Sequence, residues 1–123
     1  MLRLVALWLA IVPCLFAHHS IAAEYKADVM MLKAVITRVN WMNPHVWIYF
    51  DTRDATGAVK NWECESGAPN GLKSLGWYKG SLKPGDRVTV EASQSKDRPD
   101  VCKVRAVRLA DGRRLLAGVD YKE

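Results

Sequence analysis

The stretch LKPGDRVTVEAS, residues 82–93, constrains the fold more than any other part of the chain. After a Pro-Gly-Asp turn, Val88, Val90 and Ala92 alternate with Arg87, Thr89 and Glu91. Apolar residues at every second position give a strand with one face on a core and the other towards solvent. VCKVRAVRL (101–109) repeats the pattern, with Cys102, Val104 and Ala106 inward and Lys103 and Arg105 outward. AVKNWECES (58–66) does the same, with Trp62 and Cys64 on one face and Glu63 and Glu65 on the other. MLKAVITRVNW (31–41) and HVWIYFDT (45–52) are rich in β-branched and aromatic residues, and Asp54–Gly57 is a hairpin loop signal. Only GAPNGLKSLGW (67–77) breaks the strand pattern. Pro69 suits a first helical turn there, Leu72 and Leu75 are three apart, and Gly76 ends the segment.

Three strands, a short helix and two strands is the element order of the oligonucleotide/oligosaccharide-binding (OB) barrel. The expected fold is therefore all-β: a small five-stranded antiparallel OB-like barrel with one short helix between strands 3 and 4. Another small antiparallel barrel or sandwich with the same strand count is the competing architecture. In the OB arrangement the third strand lies beside the fifth, bringing Cys64 near Cys102, both on the inward face. A disulfide is expected, contributing roughly 3–4 kcal/mol for a loop of this length.

A chain of 123 residues, half of them apolar, supports one domain with a packed core. Residues 1–17, MLRLVALWLAIVPCLFA, read as a secretory signal peptide: a basic Arg3, an apolar run with Pro13 near its end, then Ala17. The run is shorter than the roughly 18 apolar residues of a membrane span, and an uncleaved anchor is the alternative. Pro13 before Cys14 argues against a lipoprotein box. Residues 18–30 read as an extended N-terminal arm, and 31–123 as the barrel. Export to a periplasmic or external compartment is consistent with a paired Cys64 and Cys102, because that compartment is oxidising.

Asn43-Pro44-His45 interrupts the first two strands. Proline lacks an amide hydrogen and pushes Asn43 out of the helical region, so the tripeptide reads as a turn that sets His45 at a strand edge. Together with His18 and His19 it accounts for all three histidines. Cleavage after Ala17 would give His18 an α-amino group beside its imidazole, a nitrogen-rich chelate suited to copper(II) with His19 and His45. Cleavage one residue earlier would give an Ala-His-His terminus, which binds copper through backbone amides as well. Both need free imidazole, so binding weakens as pH falls through about 6.5. Cleavage within Ser20-Ile21-Ala22 would remove both N-terminal histidines, and His45 would then be a strand cap.

Trp41, Trp47, Trp62, Trp77 and Tyr78 supply a high aromatic load. Core is the commoner fate of each, while those beside Asn43 and His45 could form a shallow stacking surface for a small ligand or peptide. The C-terminal third is basic, with Lys96, Arg98, Lys103, Arg105, Arg108, Arg113 and Arg114 against Asp97, Asp100 and Asp111. A basic strand on a barrel fits nucleic acid or an anionic polymer. Export argues against nucleic acid, and a solvated face is the plainer reading. Nucleophile elbows, phosphate loops and dinucleotide fingerprints are missing, and His45 has no evident nucleophile beside it, so no catalysis is expected.

AHHSIAAEY, VITRVNWMNPHVWIYFD and NWECESGAPNGLKSLGW with SLKPGDRVTV resemble a bacterial secreted family catalogued as a domain of unknown function, number 6152. Its pattern is a signal peptide followed by AHHSF-like residues, a WxNPHVW motif and a W-x-x-E-x-x-x-P-N segment. Ile21 stands where the family usually has an aromatic residue, and Cys64 and Cys102 are not part of its pattern. The resemblance implies no established activity. Its motifs single out Trp41, Asn43, Pro44, His45 and Trp47, then Trp62, Glu65, Pro69 and Asn70, as the candidate binding residues. The expected function is an exported small binding module for a small ligand or envelope protein, with the copper reading as the alternative. No transmembrane segment is expected after signal cleavage.

Overall fold

The computed structural model describes residues 21–118. Residues 1–17, read above as a signal peptide, and His18 and His19 lie outside the described residues. The elements are α1 (Ile21–Glu24), β1 (Met30–Asn40), β2 (Trp47–Arg53), β3 (Val59–Glu65), α2 (Pro69–Ser74), β4 (Arg87–Gln94), β5 (Val101–Arg108) and β6 (Arg114–Leu116). The strands form one sheet in the order β3-β2-β1-β4-β5-β6, and an added β3–β5 pairing closes the first five into a barrel. Inside lie Ile36, Ile48, Phe50, Val90, Val104 and Val107, all essentially without solvent contact.

The expected all-β barrel with its helix between β3 and β4 is the observed one. The expected turns fall where they were read. Asp54 Oδ1 accepts from Thr56 N and Ala58 N, and Gly57 takes a φ of 83°, closing the β2–β3 hairpin. Before β4, Lys83 N donates to Asp86 Oδ2 at 2.9 Å.

Three features differ from the sequence reading. The barrel is not antiparallel throughout, because β3 and β5 run parallel, with Cys64 opposite Cys102 and Glu65 opposite Lys103. Secondly, residues 21–24 of the arm form a helical turn rather than extended chain, closed by Tyr25 N donating to Ile21 O. Beyond it the arm is strapped to the end of β4 by Lys26 N to Gln94 O and Lys96 N to Glu24 O. Backbone partners near β4 decide this local structure, and side-chain alternation carries no information about them. Thirdly, the final segment adds β6 to the edge of β5.

That sixth strand changes the fate of Glu91, expected to face solvent. Its side chain is only 8% exposed, bound by Arg114 at 2.6 Å and Arg108 at 3.3 Å. Those hydrogen bonds, Arg114's first, hold its carboxyl below the usual range against the opposing effect of burial. A depressed carboxylate contributes stability that is present above its unfolded value, about 4.3, and is lost as pH falls through the folded value. Glu91→Gln is therefore expected to flatten the acid limb of the unfolding profile below about pH 4.3. At neutral pH it should cost only about 1–2 kcal/mol, because both arginines are partly solvated. Denaturant midpoints measured across pH check this, and an unaltered acid limb would show that the cluster adds no net stability.

Cys64 and Cys102, both fully buried, form the expected disulfide across the closing pair, with Cα atoms 4.5 Å apart. The basic C-terminal third is largely paired: Arg98 with Glu63 and Asp100, Lys103 with Glu65, Arg113 with Asp111, and Arg108 and Arg114 with Glu91. Lys96 Nζ donates to Ala22 O. No helix among the described residues is long and apolar enough to cross a membrane.

Candidate functional site

The β1–β2 connection ends in Asn43-Pro44, a cis peptide bond, followed by His45. Val46 N donates to Gly67 O and Ser66 N to Val46 O, so β2 and β3 continue to pair one step past their regular ladder. Trp47 stands opposite Glu65 in that ladder, which makes His45 the diagonal neighbour of Glu65 on the outward face. Diagonal partners lie roughly 7–8 Å apart at the backbone, within reach of two long side chains. The two meet: His45 Nδ1 lies 2.5 Å from Glu65 Oε1. Gly67 allows the chain to pass closely here, since a Cβ would fall 3.0 Å from Ala117 O and 3.2 Å from Leu72 Cδ2.

Glu65 is the hub of the site, at 15% side-chain exposure. Its Oε2 accepts from the Tyr25 hydroxyl at 2.9 Å, and Lys103 Nζ stands 3.6 Å from Oε1. Lys103 also donates to Ser66 O at 3.2 Å. One carboxylate thus gathers groups from the arm, the β1–β2 loop and β5. Burial, then the hydrogen bond to Glu65, pushes the Tyr25 hydroxyl above its ordinary range. Burial likewise pulls Lys103 below its ordinary range, with Glu65 opposing. Tyr25 therefore stays a neutral donor at physiological pH. The Oγ of Ser66, next in the chain, is buried with no hydrogen-bond partner among the described residues.

His45 differs from its neighbours in being 45% exposed while one ring nitrogen is anchored. A ring held at Nδ1 by a carboxylate presents Nε2 outward in a fixed orientation, the arrangement found behind metal-bound and ligand-bound histidines. Among the described residues no cluster of three or more His, Cys, Asp and Glu side chains is arranged to hold a metal ion.

Of the expected binding residues, Asn43 and Pro44 are exposed beside His45, and Trp41 and Trp47 are half-buried on either side. Trp41 leans on the core. Pro69, buried, and Asn70, exposed, begin α2 just after β3, at the same end of the barrel as Glu65. Trp62 does not belong to this group. It is 5% exposed, stacks on Phe50 at 6.2 Å, is covered by Lys60 and donates to Thr52 Oγ1, which makes it a core residue. Its position opposite Phe50 on the inward face is the physical reason. Trp77 is also buried, donating to Leu116 O, while Tyr78 is exposed.

Sequence reasoning missed Tyr25 and Lys103. Lys103 follows only once the strand direction is known: parallel strands with Cys64 opposite Cys102 place Glu65 opposite Lys103. Tyr25 offered only the weaker signal of a lone aromatic residue in a polar arm.

No curated protein and no solved structure matches the chain. The model of the "Family of unknown function (DUF6152)" matches residues 8–102, which runs from the N-terminal apolar run through the site to Cys102 on β5. The chain therefore belongs to that family of unknown function.

Proposed function

We propose that the chain is an exported, non-catalytic binding module whose recognition group is the outward nitrogen of His45, with Asn43, Trp41 and Trp47 as its surroundings. The observation that carries this reading is the half-exposed imidazole anchored through Nδ1 to Glu65, itself fixed by Tyr25 and Lys103. Such a ring is pre-oriented, so little rotamer entropy is lost when a ligand binds. The buried disulfide supports an oxidising, extracytoplasmic compartment.

One observation favours a more specific version, a copper(II) site completed by His18 and His19. The Tyr25–Glu65 hydrogen bond fastens the arm beside His45, only a few residues after those two histidines in the chain. With the helical turn at 21–24 advancing about 1.5 Å per residue and the residues before it up to ~3.3 Å each, His18 and His19 lie within a chain reach of about 13–16 Å of Tyr25.

A single set of spectra tests both versions. Backbone and imidazole NMR shifts are followed while a library of small aromatic and carboxylate fragments, and separately copper(II), is added to the secreted protein. The same additions are made to His45→Ala and to a variant lacking residues 18 and 19. Fragment-induced shifts are expected to cluster at residues 41–47 and at Glu65 and to vanish in His45→Ala; shifts elsewhere, or shifts that survive, overturn the reading. Copper affinity should fall about tenfold or more in both variants if the three histidines share the ion, and equal affinity in all three proteins removes the copper version alone. Turnover of any added compound, abolished by His45→Ala with the fold intact, would make the protein an enzyme instead.

A further inference from the structure

One cleft lies away from His45. It occupies about 700 Å³ where β1, β2, β4 and β5 meet, and Lys33, Arg53, Arg87 and Arg108 surround it with Asp51 as the one carboxylate. The strand register explains the convergence. The β1–β2 ladder is last paired at Val35 opposite Asp51, while β1 goes on to pair with β4, Val35 opposite Arg87 and Lys33 opposite Thr89. Thr89 is in turn opposite Arg108 on β5. Lys33 and Arg108 therefore flank Thr89 on one face, two strand spacings or roughly 10 Å apart. Arg87 projects from the same face two residues before Thr89, and Arg53 stands across the gap where β2 leaves β1.

Lys33, Arg53 and Arg87 are poorly compensated, unlike the charges of the C-terminal third. Among the described residues Lys33 and Arg87 make no ion pair, and Arg53 reaches only the Gly57 carbonyl at 3.1 Å. Arg108 shares Glu91 with Arg114, and Asp51 accepts from the Asn61 amide at 2.6 Å. Gathering uncompensated like charges around a concavity raises the local potential and concentrates anions there. An ordinary solvated cationic face would spread its lysines and arginines over convex surface. This one rims a hollow of small-molecule size with Val35, Val88 and Leu109 in its walls.

We infer that this cleft is a binding site for a small phosphorylated anion, held by Lys33 and Arg87 with Arg53 and Arg108 as flanking charges. Guanidinium forks match phosphate oxygens two at a time and Lys33 adds a point charge, so a phosphate dianion satisfies the site better than a monocarboxylate. The site is separate from His45 and does not rest on the function proposed above.

Pyrophosphate, inorganic phosphate and acetate are the probes, titrated at low salt by calorimetry and by NMR into the secreted protein. Pyrophosphate should bind most tightly, with shifts centred on residues 33–35, 51–53, 87–89 and 108–110, and addition of salt should weaken it. The Lys33→Gln/Arg87→Gln double variant, both positions being exposed, should keep its melting temperature and lose about tenfold or more in affinity. Arg98→Gln, at the β4–β5 loop, and His45→Ala should bind as the wild type does. Phosphatidylglycerol vesicles that compete with pyrophosphate for these residues would assign the phosphate to a lipid headgroup, and vesicles that do not compete would assign it to a free ligand. Undiminished binding in the double variant, an equal loss in Arg98→Gln, or no pyrophosphate binding at millimolar concentration would each overturn the inference.

Discussion

Reduction of the Cys64–Cys102 disulfide is expected to lower the stability of the barrel by about 4 kcal/mol, the loop-closure entropy for a separation of 38 residues. Small domains are stable by only about 5–15 kcal/mol, so about a quarter or more of the total would be lost. The location adds to the effect. The β3–β5 pairing closes the barrel, and its ladder spans only Glu63–Val101, Cys64–Cys102 and Glu65–Lys103. Denaturant unfolding of the oxidised protein, the reduced protein and Cys64→Ala/Cys102→Ala measures the difference. A loss below about 1 kcal/mol would mean that strand pairing closes the barrel without covalent help and that the reduced chain is already constrained when unfolded. The site should respond as well, because Glu65 and Lys103 each follow a half-cystine directly in the chain.

The second large effect separates two roles for one tryptophan. Trp62 was expected beside Glu65, Pro69 and Asn70 as a binding residue, yet it is enclosed by Phe50, Lys60 and Thr52. Trp62→Ala should cost about 3–5 kcal/mol through the cavity left in the core. Trp62→Phe should cost roughly 1–2 kcal/mol, since it keeps most of the volume and loses the hydrogen bond to Thr52. In either variant that remains folded, fragment-induced shifts at His45 should be unchanged. A stable Trp62→Ala protein that no longer responds at His45 would return Trp62 to the binding surface. Thermal unfolding with the same NMR titration distinguishes these outcomes.

Much of the fold was legible because its determinants are local. Alternation in β4 and β5 put Val88, Val90, Ala92, Cys102 and Val104 inside, where they are. Asp-x-x-Gly and Pro-Gly-Asp marked turns through backbone demands that few other residues meet. What escaped depends on contacts between distant segments. The parallel direction of β5 against β3 cannot be read from either strand alone, so Glu65 was placed on the outward face without Tyr25 and Lys103, which close over it. Glu91 was misplaced for the same reason: alternation gave its face correctly, but Arg114 lies on a three-residue strand too short to show a period. At the candidate site the sequence pointed to His45 through Asn43-Pro44, and it left out the carboxylate contact that orients the ring. The cationic cleft was invisible as a unit, since Lys33, Arg53, Arg87 and Arg108 come from four strands.

The closed strand order bears on how such a chain survives at high concentration. A sheet with free edges offers rows of unpaired amides to other molecules and invites fibre growth. Here β1, β2 and β4 have neighbours on both sides, and β5 is shared among β3, β4 and β6. Among the described residues the outer margins are β6, three residues long and opened by Arg114, and the first part of β3, where Lys60 interrupts the apolar character. Both are short and charged, poor templates for a further strand. Self-association through backbone pairing would require the barrel to open first, and the buried cystine between β3 and β5 holds shut the seam at which it would open.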